Sequence, residues 1–303
     1  MVDTPTKLAG SKKALILVCG AARSGTTMLD LMLGNDPEAF SCGEIYALFR
    51  PYRTHHFDPV CSCGNPECAV WKELRHVAES DFHAAVLNRP GISHAVDSSK
   101  DLRWVLDSNM WAQERGYRVS NVVTWKEPID LAYSHWKRGY PINYFRKQFI
   151  DYYSRFLDLN LPFISVNYNK LAANPGIVLS DLCIRLGLEY EEGREQFWNK
   201  KHHHFFGSAG TASQVEQGAS KIQRESGFPS EFMTEFDRIA QKSGPDRQLE
   251  EIINRLKACE TTSIVDLDMT KQVSSFLRPL WYYRHTLKAI IRRYFPERQA
   301  VIK

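Results

Sequence analysis

The sequence predicts an α/β protein, a three-layer sandwich in which helices cover both faces of a central parallel sheet. The first observation is a continuous apolar run, residues 14–19, which is typical of a strand buried on both faces. The second is the glycine-containing loop that follows it and leads into apolar residues at helical spacing. The third is the recurrence of strand and helix patterns along the chain, which favours a sheet that binds ligands at the carboxyl ends of its strands.

Each predicted strand leads into a predicted helix. After the strand at 14–19, four apolar residues repeat at helical spacing: Met28, Leu29, Met32 and Leu33. Three further strands are predicted, at 94–97, 118–125 and 163–168. Their helices are expected at about 101–115, after Pro128 and after Pro175, because proline is favoured in the first turn of a helix.

The 303 residues are predicted to form one domain, residues 1–303, with three departures from the alternating pattern. Residues 50–72 contain prolines, aromatics and clustered cysteines, and they indicate an insertion over the sheet edge where a substrate could enter. Residues 201–227 are rich in Gly, Ser and His and are predicted to be a mobile loop. Residues 277–295 predict a basic amphipathic helix, for which packing on its own domain, a dimer contact and docking to an anionic membrane surface remain open.

Charge and cysteine content restrict the partners and the compartment. Lys plus Arg outnumber Asp plus Glu by 39 to 35, and a net charge of +4 is too small to favour a nucleic acid partner. The odd number of cysteines, seven, suits a reduced compartment, so a cytoplasmic protein is predicted. A signal peptide beginning near Lys12 is an alternative, but the apolar run is as short as a strand and continues directly into the loop.

The loop reads GAARSGTT, residues 20–27, and differs from a nucleotide-binding P-loop at one position. A P-loop reads G-x-x-x-x-G-K-[ST], and Thr26 occupies the position of its lysine. A loop between a buried strand and a helix still presents backbone N–H groups at the positive helix end, so an anion is expected. Arg23 supplies a cation within the loop. A sulfonyl group carries less negative charge than a γ-phosphoryl group, so such fixed donors can replace lysine and magnesium.

The RSGTT stretch, residues 23–27, resembles the loop of sulfotransferases that use 3′-phosphoadenosine 5′-phosphosulfate (PAPS). The resemblance implies that this P-loop-like segment binds the phosphosulfate through five residues: Arg23, Ser24, Gly25, Thr26 and Thr27. VDSSK, residues 96–100, is similar to the family segment that brings a lysine to the bridging oxygen of the donor, which here is Lys100.

Two later stretches resemble the nucleotide-binding motifs of the same family. KEPIDLAYS, residues 126–134, is similar to the motif for the 3′-phosphate and implies that Ser134 and Arg138 bind it, with Lys126 in place of the usual arginine. Lysine keeps the charge and loses the bidentate geometry, so weaker 3′-phosphate binding is expected. VNYNKLAANP, residues 166–175, resembles a strand-to-helix signature and makes Tyr168 a nucleotide contact.

The resemblance also suggests a general base. Gly43 and Glu44 fall where tyrosylprotein sulfotransferases carry theirs, so Glu44 is expected to remove the acceptor proton while Lys100 and Arg23 stabilise the sulfonyl group and the leaving phosphate. His55 and His56 are rival bases, and Asp97 is the weakest candidate. HHHFFGSAG, residues 202–210, resembles a stretch that closes over the donor in bacterial members but departs from it at 208–210, so no cofactor contact is assigned there.

Cys61, Cys63 and Cys68 lie within eight residues and raise the question of a metal site. His55 or His56 could complete four tetrahedral zinc ligands, although the spacing is unlike a two-pair C-x-x-C site. The three histidines at 202–204 raise the same question. C-x-C-G stretches before a tryptophan also occur in bacterial sulfotransferases, which favours a local structural feature. No metal ligands are therefore assigned, and the expected transfer needs no metal.

These motifs predict an enzyme that moves the sulfonyl group of PAPS onto a hydroxyl, or less often an amine, and releases adenosine 3′,5′-bisphosphate (PAP). The expected acceptor is a small metabolite or a glycan, because the motifs serve the donor and leave the acceptor wall free to vary. Peptidyl-tyrosine sulfation, a P-loop kinase or NTPase, and a non-catalytic nucleotide-binding or membrane-associated scaffold are the alternatives.

Overall fold

A computed structural model describes residues 13–208, 211, 222, 227–243 and 246–260. Within these residues the chain forms a five-stranded, wholly parallel sheet in the order β2-β3-β1-β4-β5. The strands are β1 (Ala14–Cys19), β2 (Ala39–Gly43), β3 (His94–Asp97), β4 (Arg118–Trp125) and β5 (Ile164–Asn167). The predicted parallel sheet is confirmed, and so is the interpretation of residues 14–19 as a strand.

The edge strand β2 is not predicted by the sequence. Its five residues, AFSCG, include one large apolar side chain, Phe40, among small residues and show no clear alternation. Its pairing with β3 is also irregular, because the register shifts between Ser41 and Gly43. Pairing with an adjacent strand, rather than local sequence preference, therefore defines this element.

The helices lie between and after the strands. The predicted ones are observed at Leu102–Glu114, Pro128–Trp136 and Pro175–Leu186, and the helix after β1 spans Thr26–Leu33. The remaining described helices are Tyr46–Phe49, Ala69–Leu74, Phe82–Leu87, Tyr144–Asp158, Tyr168–Ala173, Ser230–Ser243 and Arg247–Ala258. Short 3₁₀ turns occur at Thr54–His56, Glu79–Asp81 and Phe197–Asn199.

The central strand β1 shows why the fold has three layers. All six of its residues are buried, and alternate side chains enter two separate apolar cores. Leu15 and Leu17 pack into one core, whereas Ile16 and Val18 pack into the other. Each face of the sheet is thus covered by helices, as the continuous apolar run of β1 predicts.

The strand order places the loop after β1 at a topological switch point. The chain lays β2 and β3 on one side of β1 and β4 and β5 on the other, so connections diverge at the carboxyl end of β1. A crevice opens at such a point in parallel sheets, and ligands bind there. Residues 20–25 occupy that position.

Some predicted features fall only partly within the described residues. Of the loop predicted at 201–227, residues 201–208, 211, 222 and 227 are described. The basic helix predicted at 277–295 lies outside the described residues. Among the helices that are described, none has the length and apolar character needed to cross a membrane.

Candidate active site

The loop after β1 has a backbone that requires glycine at its end. Gly25 precedes the Thr26–Leu33 helix with a φ of 99°, and a Cβ there would lie 2.3 Å from the Tyr168 ring. Arg23 also has a positive φ, 75°, which is uncommon for a residue with a side chain. Such strain costs on the order of 1 kcal/mol and is found most often at functional sites. The loop therefore turns the Arg23 side chain in a direction that an extended backbone would not give.

Two tyrosine hydroxyls hold the start of the loop. Gly20 N–H donates to the Tyr152 hydroxyl at 3.0 Å, and Ala21 N–H donates to the Tyr153 hydroxyl at 3.3 Å. The Tyr153 hydroxyl in turn donates to the Thr124 carbonyl at 2.6 Å. Burial raises the pKa of both phenols, so both stay protonated at neutral pH. The sequence motifs give no sign of these residues, which come from a helix more than 120 positions along the chain.

The Arg23 side chain connects three separate segments. Its Nε donates to Ser134 Oγ at 3.4 Å, and its Nη1 donates to Ser208 Oγ at 3.1 Å. Ser208 N–H then donates to Thr27 Oγ1 at 3.0 Å. The predicted residues Arg23, Thr27 and Ser134 are therefore brought together. Ser208, which sequence reasoning left unassigned, is part of the same network.

The predicted phosphate-binding cations lie around one buried histidine. His135 has its pKa lowered to about 4, first by burial and then by the charges of Arg23, Arg138 and Lys126. Burial and the charge of Arg138 also lower the pKa of Arg23, which is consistent with two cations close together. Three positive charges in one region repel one another unless an anion binds between them. The cluster is thus suited to a ligand that carries phosphate.

Tyr168 links this basic region to the loop. The Lys126 Nζ lies 3.9 Å from the centroid of the Tyr168 ring, a cation–π arrangement. The same ring lies against the backbone of Gly25. Tyr168 begins the helix after β5, and Asn167 caps that helix by accepting hydrogen bonds from the N–H groups of Asn169 and Lys170. The predicted residues Gly25, Lys126 and Tyr168 therefore form one contiguous wall.

Lys100 and Glu44 meet at the carboxyl ends of β3 and β2. Lys100 Nζ donates to Glu44 Oε1, and both side chains are 21% exposed. Glu44 N–H donates to the Phe205 carbonyl at 3.1 Å, and Ser98 N–H donates to the Gly43 carbonyl at 3.0 Å. The backbones that carry both predicted catalytic residues are thus fixed by hydrogen bonds to neighbouring segments.

The Asp97 carboxylate is buried and hydrogen-bonded to neighbouring protein groups. Its Oδ2 is hydrogen-bonded to His83 Nε2 at 2.9 Å and accepts from Trp104 Nε1 at 2.7 Å, while its Oδ1 accepts from Ser99 N–H at 2.8 Å. The residue is fully buried. Its contacts hold the carboxylate in the protein interior and shape the turn that leads to Lys100.

The two rival bases, His55 and His56, differ in burial. His56 is buried against Phe206, with ring centroids 4.7 Å apart, and its Nδ1 accepts from Tyr52 N–H at 3.4 Å. Burial, followed by the charges of His55 and Arg53, lowers the pKa of His56 to about 4, so it is neutral at pH 7. The charge of Glu44 raises the pKa of His56, which indicates that the two side chains lie near each other. His55 is exposed.

A buried acid that the motifs do not reveal lies beneath the site. Asp30 is fully buried in the Thr26–Leu33 helix, and its Oδ2 accepts from Ser98 Oγ at 3.0 Å. Burial raises its pKa to about 8, so the carboxyl is mainly protonated at neutral pH. Because Ser98 belongs to the segment that carries Lys100, this contact joins the Thr26–Leu33 helix to the segment of the predicted catalytic lysine.

The chain thus combines a parallel sheet, a glycine-containing loop at its switch point and nearby cations from other segments, an arrangement typical of α/β proteins that bind phosphate-bearing ligands. No family model and no curated protein matches the chain. Among solved structures, the sulfotransferase domain of the Synechococcus PCC 7002 olefin synthase matches with a TM-score of 0.50 and 16% identity, over 79% of this chain and 98% of that one. This likeness shows that the chain has a sulfotransferase fold, and it confirms the motif-based resemblance at that level.

Two further solved structures match less closely. A sulfotransferase domain from the curacin biosynthetic pathway gives a TM-score of 0.45 and 17% identity, over 77% of this chain and 98% of that one. A mouse sulfotransferase complexed with PAP gives a TM-score of 0.37 and 11% identity, over 82% of this chain and 89% of that one.

Proposed function

We propose that the chain is a sulfotransferase that uses PAPS and transfers its sulfonyl group to a hydroxyl of a small metabolite or a glycan. The observation that carries the proposal is the hydrogen bond from Arg23 to Ser134. It joins the loop whose sequence resembles a 5′-phosphosulfate site to the helix whose sequence resembles a 3′-phosphate site. PAPS and PAP are ligands that carry both groups on one nucleoside.

The donor is bound by groups from three segments, residues 23–27, residues 126–138 and Tyr168. The first turn of the Thr26–Leu33 helix offers N–H groups, and Ser24, Thr26 and Thr27 add hydroxyls to hold the 5′-phosphosulfate. Arg138, Ser134 and Lys126 bind the 3′-phosphate, and Tyr168 contacts the nucleoside. Arg23 lies between the two phosphate sites, where charge-assisted hydrogen bonds contribute about 1.5 to 3 kcal/mol each.

The transfer step uses Glu44, Lys100 and Arg23. Glu44 accepts the proton of the acceptor hydroxyl, whose oxygen forms a new bond to sulfur while the bond from sulfur to the phosphate oxygen breaks. Lys100 moves from Glu44 to the bridging oxygen and, with Arg23, stabilises the negative charge on the departing PAP. The ion pair between Lys100 and Glu44, in which each group neutralises the other, must then break before transfer.

The alternatives lead to different observations. A P-loop kinase would respond to Mg·ATP. Such an enzyme, however, requires a lysine at the position of Thr26 to reach the β- and γ-phosphates. Peptidyl-tyrosine sulfation requires the same donor site with a peptide acceptor. A scaffold without catalytic activity would bind a nucleotide and leave any acceptor unchanged.

The test has a binding arm and a turnover arm. In the first, PAP is expected to raise the melting temperature in the absence of magnesium, and Mg·ATP is expected to have no such effect. In the second, the protein is incubated with PAPS and a panel of phenols, alcohols, sugars, amines and a tyrosine peptide, and mass spectrometry detects the gain of one SO₃ group. Saturation by Mg·ATP with no response to PAP would reject the proposal. Sulfation of the peptide alone would change the acceptor class.

A further inference from the structure

Three cysteines and a histidine converge outside the site described above. The sulfur atoms of Cys61, Cys63 and Cys68 and a ring nitrogen of His203 all lie within 4.8 Å of one another. The sequence groups the cysteines but suggests His55 or His56 as a fourth ligand, and the structure instead brings His203 from 135 residues beyond Cys68. The histidine that lies beside the three cysteines is thus His203, from the 202–204 stretch, rather than His55 or His56.

The distances from His203 to two of the cysteines are close to those between neighbouring ligands of a tetrahedral metal ion. His203 Nδ1 lies 3.2 Å from Cys68 Sγ and 3.8 Å from Cys61 Sγ. In a tetrahedral zinc site, with bonds of about 2.3 Å to sulfur and about 2.0 Å to nitrogen, neighbouring ligand atoms are roughly 3.5 to 3.8 Å apart. A single hydrogen bond does not account for this arrangement, because the one lone pair of Nδ1 can accept from only one thiol.

The backbone around the four side chains supports them as metal ligands. Cys63 N–H donates to Cys61 Sγ at 3.4 Å, the kind of bond that stabilises a thiolate. Gly64, with a φ of 74°, completes a tight turn in which its N–H donates to the Cys61 carbonyl at 2.9 Å. Trp71 Nε1 donates to the His203 carbonyl at 3.1 Å and fixes the position of the histidine. Cys63 is partly exposed, which leaves a path by which an ion can reach the site.

We propose that Cys61, Cys63, Cys68 and His203 bind one structural Zn²⁺ ion that fastens the 202–208 segment to the insertion at 61–68. Three thiolates and one imidazole are an established ligand set for structural zinc, and a closed four-ligand site has no open position for catalysis. The inference is independent of the proposed function.

The metal would stabilise contacts that continue from this cluster to the candidate active site. Phe205 stacks on Trp71 with ring centroids 3.9 Å apart, and its carbonyl accepts from Glu44 N–H. Three residues later, Ser208 contacts both Arg23 and Thr27. Because the zinc ligand His203 begins this stretch, loss of the metal is expected to loosen both the proposed base and the donor loop.

Metal content is the direct test. The full chain is purified in reducing buffer without chelators, and elemental analysis is expected to find one zinc per chain. Cys63→Ser should reduce that content at least tenfold, whereas Cys259→Ser, at a cysteine remote from the cluster, should retain it. A wild-type chain that takes up no zinc from added ZnCl₂ while all seven thiols remain titratable would overturn the proposal. A disulfide between two of the three cysteines, identified by mass spectrometry, would also overturn it.

Cobalt substitution distinguishes a specific site from loosely bound metal. Co²⁺ bound to the zinc-depleted chain should give the intense visible bands of tetrahedral coordination and a thiolate charge-transfer band. His203→Ala should weaken or shift these bands, and His203→Cys, which supplies a fourth thiolate, should restore tetrahedral bands and zinc binding. Octahedral cobalt spectra in the wild type would contradict the assignment. This readout does not depend on sulfotransferase activity, so the two proposals can fail separately.

Discussion

The Lys100 ammonium group and the Glu44 carboxylate form an ion pair that spans the ends of two neighbouring parallel strands. Both residues are partly exposed, so a substrate can reach either of them. Parallel pairing of β2 and β3 brings Gly43 beside Asp97. Glu44 directly follows Gly43 and Lys100 lies three residues after Asp97, so both lie at the carboxyl ends of these strands. An acceptor that takes the carboxylate and a donor that takes the ammonium would both have to break this pair.

Replacement of Glu44 by glutamine should abolish proton removal without disturbing donor binding. We expect kcat to fall by about 10²- to 10⁴-fold, the range associated with a general base, and the Kd for PAP to stay within about twofold. Glu73→Gln, at an exposed ion pair with Arg89, is the matched control and should keep full activity. Retention of kcat in Glu44→Gln would shift the base to His56, which can then be tested by His56→Asn.

Replacement of Lys100 by alanine should impair departure of the leaving group. The expected loss in kcat is at least about 10²-fold, because an electrostatic contact made in the transition state disappears. Lys170→Ala removes another ion-paired lysine, the partner of Glu260, and provides a control for general loss of charge. Single-turnover rates isolate the transfer step. They are measured with saturating PAPS and acceptors of similar nucleophilicity. An unchanged single-turnover rate would remove Lys100 from the mechanism.

Substitution of Lys126 by arginine should strengthen PAP binding. Arginine retains the positive charge and the stacking on Tyr168, and it adds a bidentate contact to the 3′-phosphate. We expect the Kd for PAP to fall by roughly threefold to tenfold, and the Kd for adenosine 5′-phosphate, which lacks the 3′-phosphate, to change little. Lys137→Arg is the control, because Lys137 lies at the opposite, C-terminal end of the helix that follows Lys126, with its Nζ over the Tyr133 ring. Equal gains for both nucleotides would show that residue 126 does not contact the 3′-phosphate.

A methyl group at position 25 should disrupt the anion-binding loop. Gly25→Ala adds a Cβ 2.3 Å from the Tyr168 ring at a positive φ, so the helix start or the tyrosine must move. We expect at least a tenfold weaker affinity for PAP by calorimetry. Gly116→Ala has a similar positive φ, 72°, but its Cβ would meet open space, so it measures backbone strain alone. Similar PAP affinity in the two variants would show that the close approach at Gly25 is unimportant.

Asp30 should make the chain less stable as the pH rises. Its pKa is about 8 in the folded chain and 3.8 in the unfolded reference, so the folded state holds one more proton between these values. The contribution of this carboxyl to folding is therefore complete below about pH 4 and declines by roughly 1 kcal/mol per pH unit toward pH 8. Asp30→Asn should remove this slope, as measured by urea unfolding at pH 5, 6, 7 and 8. An identical slope in both proteins would show that Asp30 is ionised.

The sequence predicts the elements whose patterns are local. β1 is a continuous apolar run, and the prolines at 128 and 175 mark helix starts, so these elements are recognised without tertiary information. The motif residues Arg23, Ser134 and Lys100 also occupy one edge of the sheet, because strand ends of a parallel sheet meet there.

The features that the sequence does not reveal depend on contacts between distant segments. Tyr152 and Tyr153 lie on an amphipathic helix with no sign that their hydroxyls reach the loop. Three consecutive histidines cannot be told apart by pattern, yet only His203 faces the cysteines among them. The edge strand β2 is defined by pairing rather than by composition. These contacts follow from packing, which periodicity does not encode.

The anchoring of the donor loop by Tyr152 and Tyr153 has a practical consequence for engineering. Tyr153 is fully buried and fastens the loop from the protein interior. Both tyrosines lie outside the insertion at 50–72, so exposed residues of that insertion can be replaced without removing either hydroxyl. Libraries that vary those positions can therefore search for new acceptors of the proposed sulfotransferase while the anchor of the loop stays in place.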